Sequence, residues 1–129
     1  MKVAFTADEP RFEAQLEPRF GRCAIFMIVD SETREWKPLQ NPAAEAMGGA
    51  GTQAAQFLAK QGVEAVISGD FGPNAYIVLD AANIRMYKSE VNQISSLFEK
   101  YLTDQLEQVS EPTRPEGRRG RGFSGRRRQ

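Results

Sequence analysis

Between Thr52 and Ala82 the chain runs helix, buried strand and helix with only short punctuation at each join, and few architectures accept that order. Thr52–Gln61 places Ala55, Leu58 and Ala59 on one face with Ala54 and Phe57 beside them, and Gly62 follows where a left-handed residue ends a helix. Val63–Ser68 is a buried strand. Gly69-Asp70-Phe71-Gly72 reads as a loop, and Pro73 fits a first helical position, where its missing N–H costs nothing. The second helix, Asn74–Ala82, should stop at Asn83, which tolerates left-handed φ. A strand with a helix on either side of it in sequence belongs to a helix-covered sheet, so the class is α/β.

The flanking segments supply the rest of that sheet. Val3 and Phe5 alternate in a first strand, Lys2–Ala7, which Asp8-Glu9-Pro10 breaks, and residues 9–19 read as a loop. Ala24–Val29 is a continuous apolar run suited to a strand covered on both faces. Asp30-Ser31-Glu32-Thr33 turns the chain into Arg34–Leu39, where Pro38 confines the strand to a sheet edge. Ile84–Tyr87 is a fifth strand, and from Glu90 to Leu106 apolar residues recur at helical spacing. The expected fold is a mixed five-stranded sheet flanked by helices over residues 1–109. Residues 110–129, rich in Pro, Gly, Arg and Ser, are expected to form a disordered tail.

Composition removes several function classes. Histidine is absent and Cys23 is the single cysteine, so an internal disulfide, an all-cysteine metal site and histidine-based catalysis are disfavoured. No apolar run approaches membrane-spanning length and no signal-like stretch opens the chain, which suggests a cytoplasmic protein without membrane contact. The net charge of zero conceals segregation: residues 1–110 carry 10 basic and 15 acidic groups, and residues 111–129 carry 7 arginines and 2 glutamates.

The stretch with the most local chemistry is Gly48-Gly49-Ala50-Gly51-Thr52. Glycines before a helix let a ligand approach the main chain, and the free N–H groups of the first turn then favour an anion. The same glycines also suit a tight turn that packs a helix against the sheet. Gly49, Gly51 and Ala54 match G-x-G-x-x-A, but no strand immediately precedes them and no Gly-Lys-Ser/Thr follows, so neither a dinucleotide fold nor a Walker loop is supported. Gly69, Phe71, Gly72 and Asn74 form a second loop and helix start beyond a strand's carboxyl end, and the two helix starts are expected to face each other. Arg19 and Arg22 flank Phe20-Gly21 and offer charge-assisted donors or, equally, a solvated pair. Cys23 suits a small buried hydrophobe as well as a soft ligand, and Met47 suits a packing or wall residue. Asp8 and Asp70 at strand ends raise the alternative of a carboxylate-metal nuclease, which would need further convergent carboxylates.

Phe20-Gly21-Arg22-Cys23, Asn41-Pro42, Gly48–Ala55 and Ser68–Ala75, in that order, resemble the dinitrogenase iron–molybdenum cofactor biosynthesis domain family, including its orange-protein type, over about residues 1–105. The resemblance implies a ribonuclease-H-like sheet and a non-enzymatic binding or carrier role for a molybdenum–copper sulfide or iron–molybdenum-type cluster. It also implies cofactor-assembly or ATPase partner proteins. Many members have a histidine immediately before Phe-Gly-Arg; this chain has Arg19, which favours an anionic cluster held without covalent ligation. The tail has three readings: a solvated segment, an arm that folds over an anionic cluster, and an RNA-binding or regulatory arm.

Overall fold

The computed structural model describes residues 1–113. Its elements are β1 (Lys2–Ala7), β2 (Ile25–Asp30), β3 (Trp36–Gln40), α1 (Ala50–Gln61), β4 (Val63–Ser68), α2 (Pro73–Ala81), β5 (Arg85–Lys88), α3 (Ile94–Leu102) and β6 (Glu107–Val109). They build one mixed sheet in the order β3-β2-β1-β4-β5-β6. β1, β4 and β5 run parallel, as helical crossovers require, whereas β2, β3 and β6 join as antiparallel neighbours.

The period of two in the strands divides the core. Ala4, Phe26, Ile28, Val66 and Met86 face Ala54, Ala55 and Leu58 of α1 and Ala75 and Leu79 of α2. Val3, Phe5, Met27, Val29, Ala65 and Ile67 point the other way, against Ile94, Leu97 and Phe98 of α3. Both faces are therefore covered, which is why the central strands read as unbroken apolar runs. β3 takes the edge predicted for it, with Pro38 opposite Met27.

The sheet has six strands, not five. β6 is three residues long and buries one side chain, Val109, so it carries no periodicity to detect. α3 is also shorter than its apolar spacing suggested. It starts at Ile94, and Asp104 adopts a φ of 60° soon after its end, which turns the chain toward β6 while Leu106 still packs on the α3 side. α1 begins at Ala50, two residues before the expected Thr52, because Gly49 rather than Gly51 takes the left-handed φ of 71°. The segment expected to be disordered from residue 110 begins as structure. Tyr76 donates to the Ser110 carbonyl (2.6 Å), and Thr113 is bonded to Phe71. Residues 114–129 lie outside the described residues.

Gly62 ends α1 with φ at 72° and nothing within 4 Å of where a Cβ would stand. Gly62→Ala should therefore cost about 1–2 kcal/mol through backbone strain alone, read as a lower urea midpoint with an unchanged slope.

Candidate functional site

The carboxyl ends of β1 and β4 are joined by a polar clamp. Thr6 Oγ1, fully buried, donates to the Glu17 carbonyl (2.6 Å) and lies 3.1 Å from Ser68 Oγ. The Glu17 N–H donates to the Thr6 carbonyl, and the Asp70 N–H to the Pro18 carbonyl. Gly69 is required here for space: an added Cβ would stand 2.6 Å from Pro18 Cα. The clamp delivers Arg19-Phe20-Gly21-Arg22 to the sheet edge where α1 and α2 both begin. Asn41, buried at the end of the hairpin, holds the far side of that turn. Its Nδ2 donates to the carbonyls of Gly21 (3.1 Å) and Cys23 (2.9 Å), and its Oδ1 accepts from the Ala43 N–H.

A cavity of about 320 Å³ opens between these three segments, lined by Arg19, Phe20, Gly21, Arg22, Gly49, Ala50, Gly51, Gly72, Pro73, Asn74 and Ala75. The two helix starts face each other across it, as expected. Neither helix has a capping side chain or an acidic residue in its first turn. The N–H groups of Ala50, Gly51 and Thr52 have no intrahelical acceptor by helix geometry, nor do those of Asn74 and Ala75. This arrangement selects for negative charge. Small residues make it possible, since a Cβ on Gly21 would meet Gly51 N at 2.9 Å and one on Gly51 would meet Ala75 Cβ at 3.4 Å.

The two arginines are held differently. Glu17, nearly buried, accepts from the Arg19 N–H (2.9 Å) and Nε (3.2 Å), leaving the outer guanidinium exposed. Burial works to raise the Glu17 pKa, but these Arg19 bonds outweigh it and hold the carboxyl below its ordinary range. Asp8 moves the opposite way, raised by burial first and then by the Glu17 carboxylate. Arg22 Nη1 donates to the carbonyls of Ala44 (3.2 Å) and Ala46 (2.6 Å), fastening the connection that leads into the glycines.

Six of the residues expected from the sequence to hold the cluster do not line the cavity. Cys23 is fully buried, with Sγ donating to the Phe20 carbonyl (3.4 Å) and Asn41 Nδ2 3.8 Å away. Burial pushes its thiol up to about 12, so it behaves as a core hydrophobe and not as an available ligand. Met47 is 103% exposed and walls nothing. Gly48 is exposed, Thr52 lies on the flank of α1 and Gly69 packs on Pro18. Phe71 is buried beneath the opening, its ring 5.6 Å from that of Phe20. Asp8 and Asp70 find no company either: among the described residues no three His, Cys, Asp or Glu side chains gather to hold a metal ion. The positioning role of Asn41 was not foreseen; an Asn-Pro pair at a hairpin's end is its only sequence signal.

Two consequences are measurable. At about pH 8, Cys23 in the folded protein should react with iodoacetamide at least a thousandfold more slowly than in denaturant, given a shift from 9.0 to about 12, with alkylation followed by mass. The folded Glu17 pKa lies below the unfolded one, so its contribution exists above the ordinary value of 4.5 and disappears as pH falls through the folded value. Glu17→Gln should therefore lower the unfolding free energy by about 1 kcal/mol at neutral pH and by close to nothing at about pH 2, in urea titrations.

Known proteins resemble this chain in sequence and fold. An uncharacterised protein of Methanocaldococcus jannaschii is 38% identical over 110 residues, covering 83% of this chain and 90% of its own length. The apo form of the orange protein from Desulfovibrio gigas superposes with a TM-score of 0.85 at 32% identity, over 88% of this chain and 96% of its own. A Thermotoga protein of the DUF35 family superposes with a TM-score of 0.77 at 28% identity, over 89% and 98%. The model of the dinitrogenase iron–molybdenum cofactor family matches residues 1–104, with the Phe-Gly-Arg turn and both helix starts inside the match, and the chain belongs to that family.

Proposed function

We propose that this protein is a non-enzymatic binding or carrier protein for an anionic molybdenum-containing metal–sulfur cluster, with a molybdenum–copper sulfide as the leading candidate cargo. The observation that carries this reading is the convergence of two uncapped helix N-termini and two arginines on one cavity. Such a surface supplies N–H donors and positive charge to the outer sulfides of a cluster and offers metal no side-chain ligand. Cys23 is buried beside Asn41 and the exposed Met47 does not line the cavity, so the cargo is held by hydrogen bonds and charge. Family membership and the likeness to the orange protein point the same way. The order β3-β2-β1-β4-β5 with β2 antiparallel supports a ribonuclease-H-like description to which β6 is an addition.

A carrier of this kind works between a donor and an acceptor, and cofactor-assembly or ATPase proteins of the cytoplasm are the partners the proposal calls for. No helix among the described residues is long and apolar enough to cross a membrane.

Protein incubated anaerobically with tetrathiomolybdate and Cu(I) should develop visible charge-transfer bands and retain molybdenum through desalting; colourless, metal-free protein refutes the proposal. Arg22→Ala should weaken retention by roughly ten- to a hundredfold, and Gly51→Val, which fills the cavity against Ala75, should abolish it while circular dichroism stays unchanged.

A further inference from the structure

One charged group beside the cavity opposes an anion. Arg19 and Arg22 are the cations among the lining residues, and no lining residue is acidic. Glu17, however, stands directly behind Arg19. It is buried, and a single oxygen of its carboxylate accepts from both the Arg19 N–H (2.9 Å) and Arg19 Nε (3.2 Å). A negative charge is therefore built into the support of one of the two arginines.

The fold keeps that charge in place. The Glu17 N–H donates to the Thr6 carbonyl (2.9 Å), and the Glu17 carbonyl accepts from Thr6 Oγ1 (2.6 Å), so residue 17 is fastened at both its main-chain groups to the end of β1. A second carboxylate, Asp8, is its other polar neighbour. Packing does not require the charge, because a glutamine of the same size could accept both Arg19 bonds. The carboxylate does two things at once. It holds the guanidinium by Nε and not by the outer nitrogens, which orients those donors for cargo. It also subtracts from the guanidinium's positive potential within the cavity. The first effect depends on the shape of the cargo, whereas the second grows with the cargo's charge.

Resting on the cluster-binding reading above, we propose that Glu17 is the residue that sets the charge class of the cargo: it orients Arg19 while offsetting its charge, so the cavity favours a soft anion of low charge, such as a thiometallate dianion, over more highly charged clusters. Glu17 is thus a positioning residue with an electrostatic cost to binding. The same offset weakens the hold on the anion and so favours its release to an acceptor.

The test uses the full chain and two tetrahedral probes of the same shape, the tetrathiomolybdate dianion and the tetrathiorhenate monoanion. Glu17→Gln keeps an acceptor for Arg19 and removes the charge. Because Coulomb energy scales with cargo charge, it should tighten tetrathiomolybdate about tenfold and tetrathiorhenate only about threefold. Both gains belong to about 20 mM salt and should fade by about 0.5 M. A tighter hold runs against the stability loss expected of the same substitution, so a merely structural role would not produce it. The ratio of the two affinities within one variant is independent of the fraction folded, and that ratio decides the matter. Glu32→Gln, at an exposed carboxylate on the turn between β2 and β3, changes net charge equally elsewhere. An unchanged ratio in Glu17→Gln overturns the proposal, as does an equal rise in Glu32→Gln. If the parent itself binds no thiomolybdate, the cluster-binding reading fails first and this inference with it; a parent that binds and a ratio that does not move sink this inference alone.

Discussion

The approach of Gly21 to the first turn of α1 is the constraint on which the site depends. A methyl group at Gly21 would stand 2.9 Å from Gly51 N and 3.1 Å from the Ala50 carbonyl carbon, closer than side chains come to backbone. Only a bare backbone lets the Phe-Gly-Arg turn rest against the helix start. Gly51 passes the same economy of volume to α2, where Ala75 Cβ is its neighbour. Three segments thus meet around one concavity without a large side chain to fill it. The result is a surface of main-chain donors, whose charge preference comes from the helix ends together with Arg19 and Arg22.

The support for that arrangement lies behind it, in the clamp of Thr6, Glu17, Pro18, Ser68 and Asp70 on one side and Asn41 on the other. Thr6, Glu17, Ser68 and Asn41 are buried with their polar side chains paired, which makes the turn expensive to displace. Phe20 and Phe71, with rings 5.6 Å apart, fill the space beneath the cavity. The site is consequently held by the same packing that holds the α1–α2 face of the sheet. Ligand donors placed on such a base are preorganised, and little ordering remains to oppose binding.

Side chains offer this cavity charge and not metal ligation. The one thiol is sealed in the core, where burial pushes its pKa up to about 12, and the exposed thioether nearest the glycines does not line the cavity. Arg19 is restrained by Glu17 and brings a charged donor to the cavity. Hydrogen bonding and charge are therefore the means by which this chain is proposed to hold a soft anion. The strap from Ser110 to Thr113 is fastened to Phe71 and Tyr76 beside the α2 start.

Local residue patterns were sufficient for most of the elements. Glycine and proline at 62 and 73, left-handed Asn83, the alternation in β1 and the apolar runs of β2 and β4 each express a backbone or burial preference within a few residues, and these were legible. β6 was not, because a three-residue strand with one buried side chain is created by its pairing with β5. The trimming of α3 and the capture of residues 110–113 have the same origin in contacts with distant segments. For the site, sequence alone named both helix starts and both arginines, since glycine and guanidinium chemistry is local. It could not separate the wall from its support: that Cys23 and Phe71 lie under the cavity, Met47 outside it, and Asn41 behind the turn follows from how the hairpin folds onto α1. Residue type and spacing pointed to an anion site, and tertiary packing decided which atoms line the cavity.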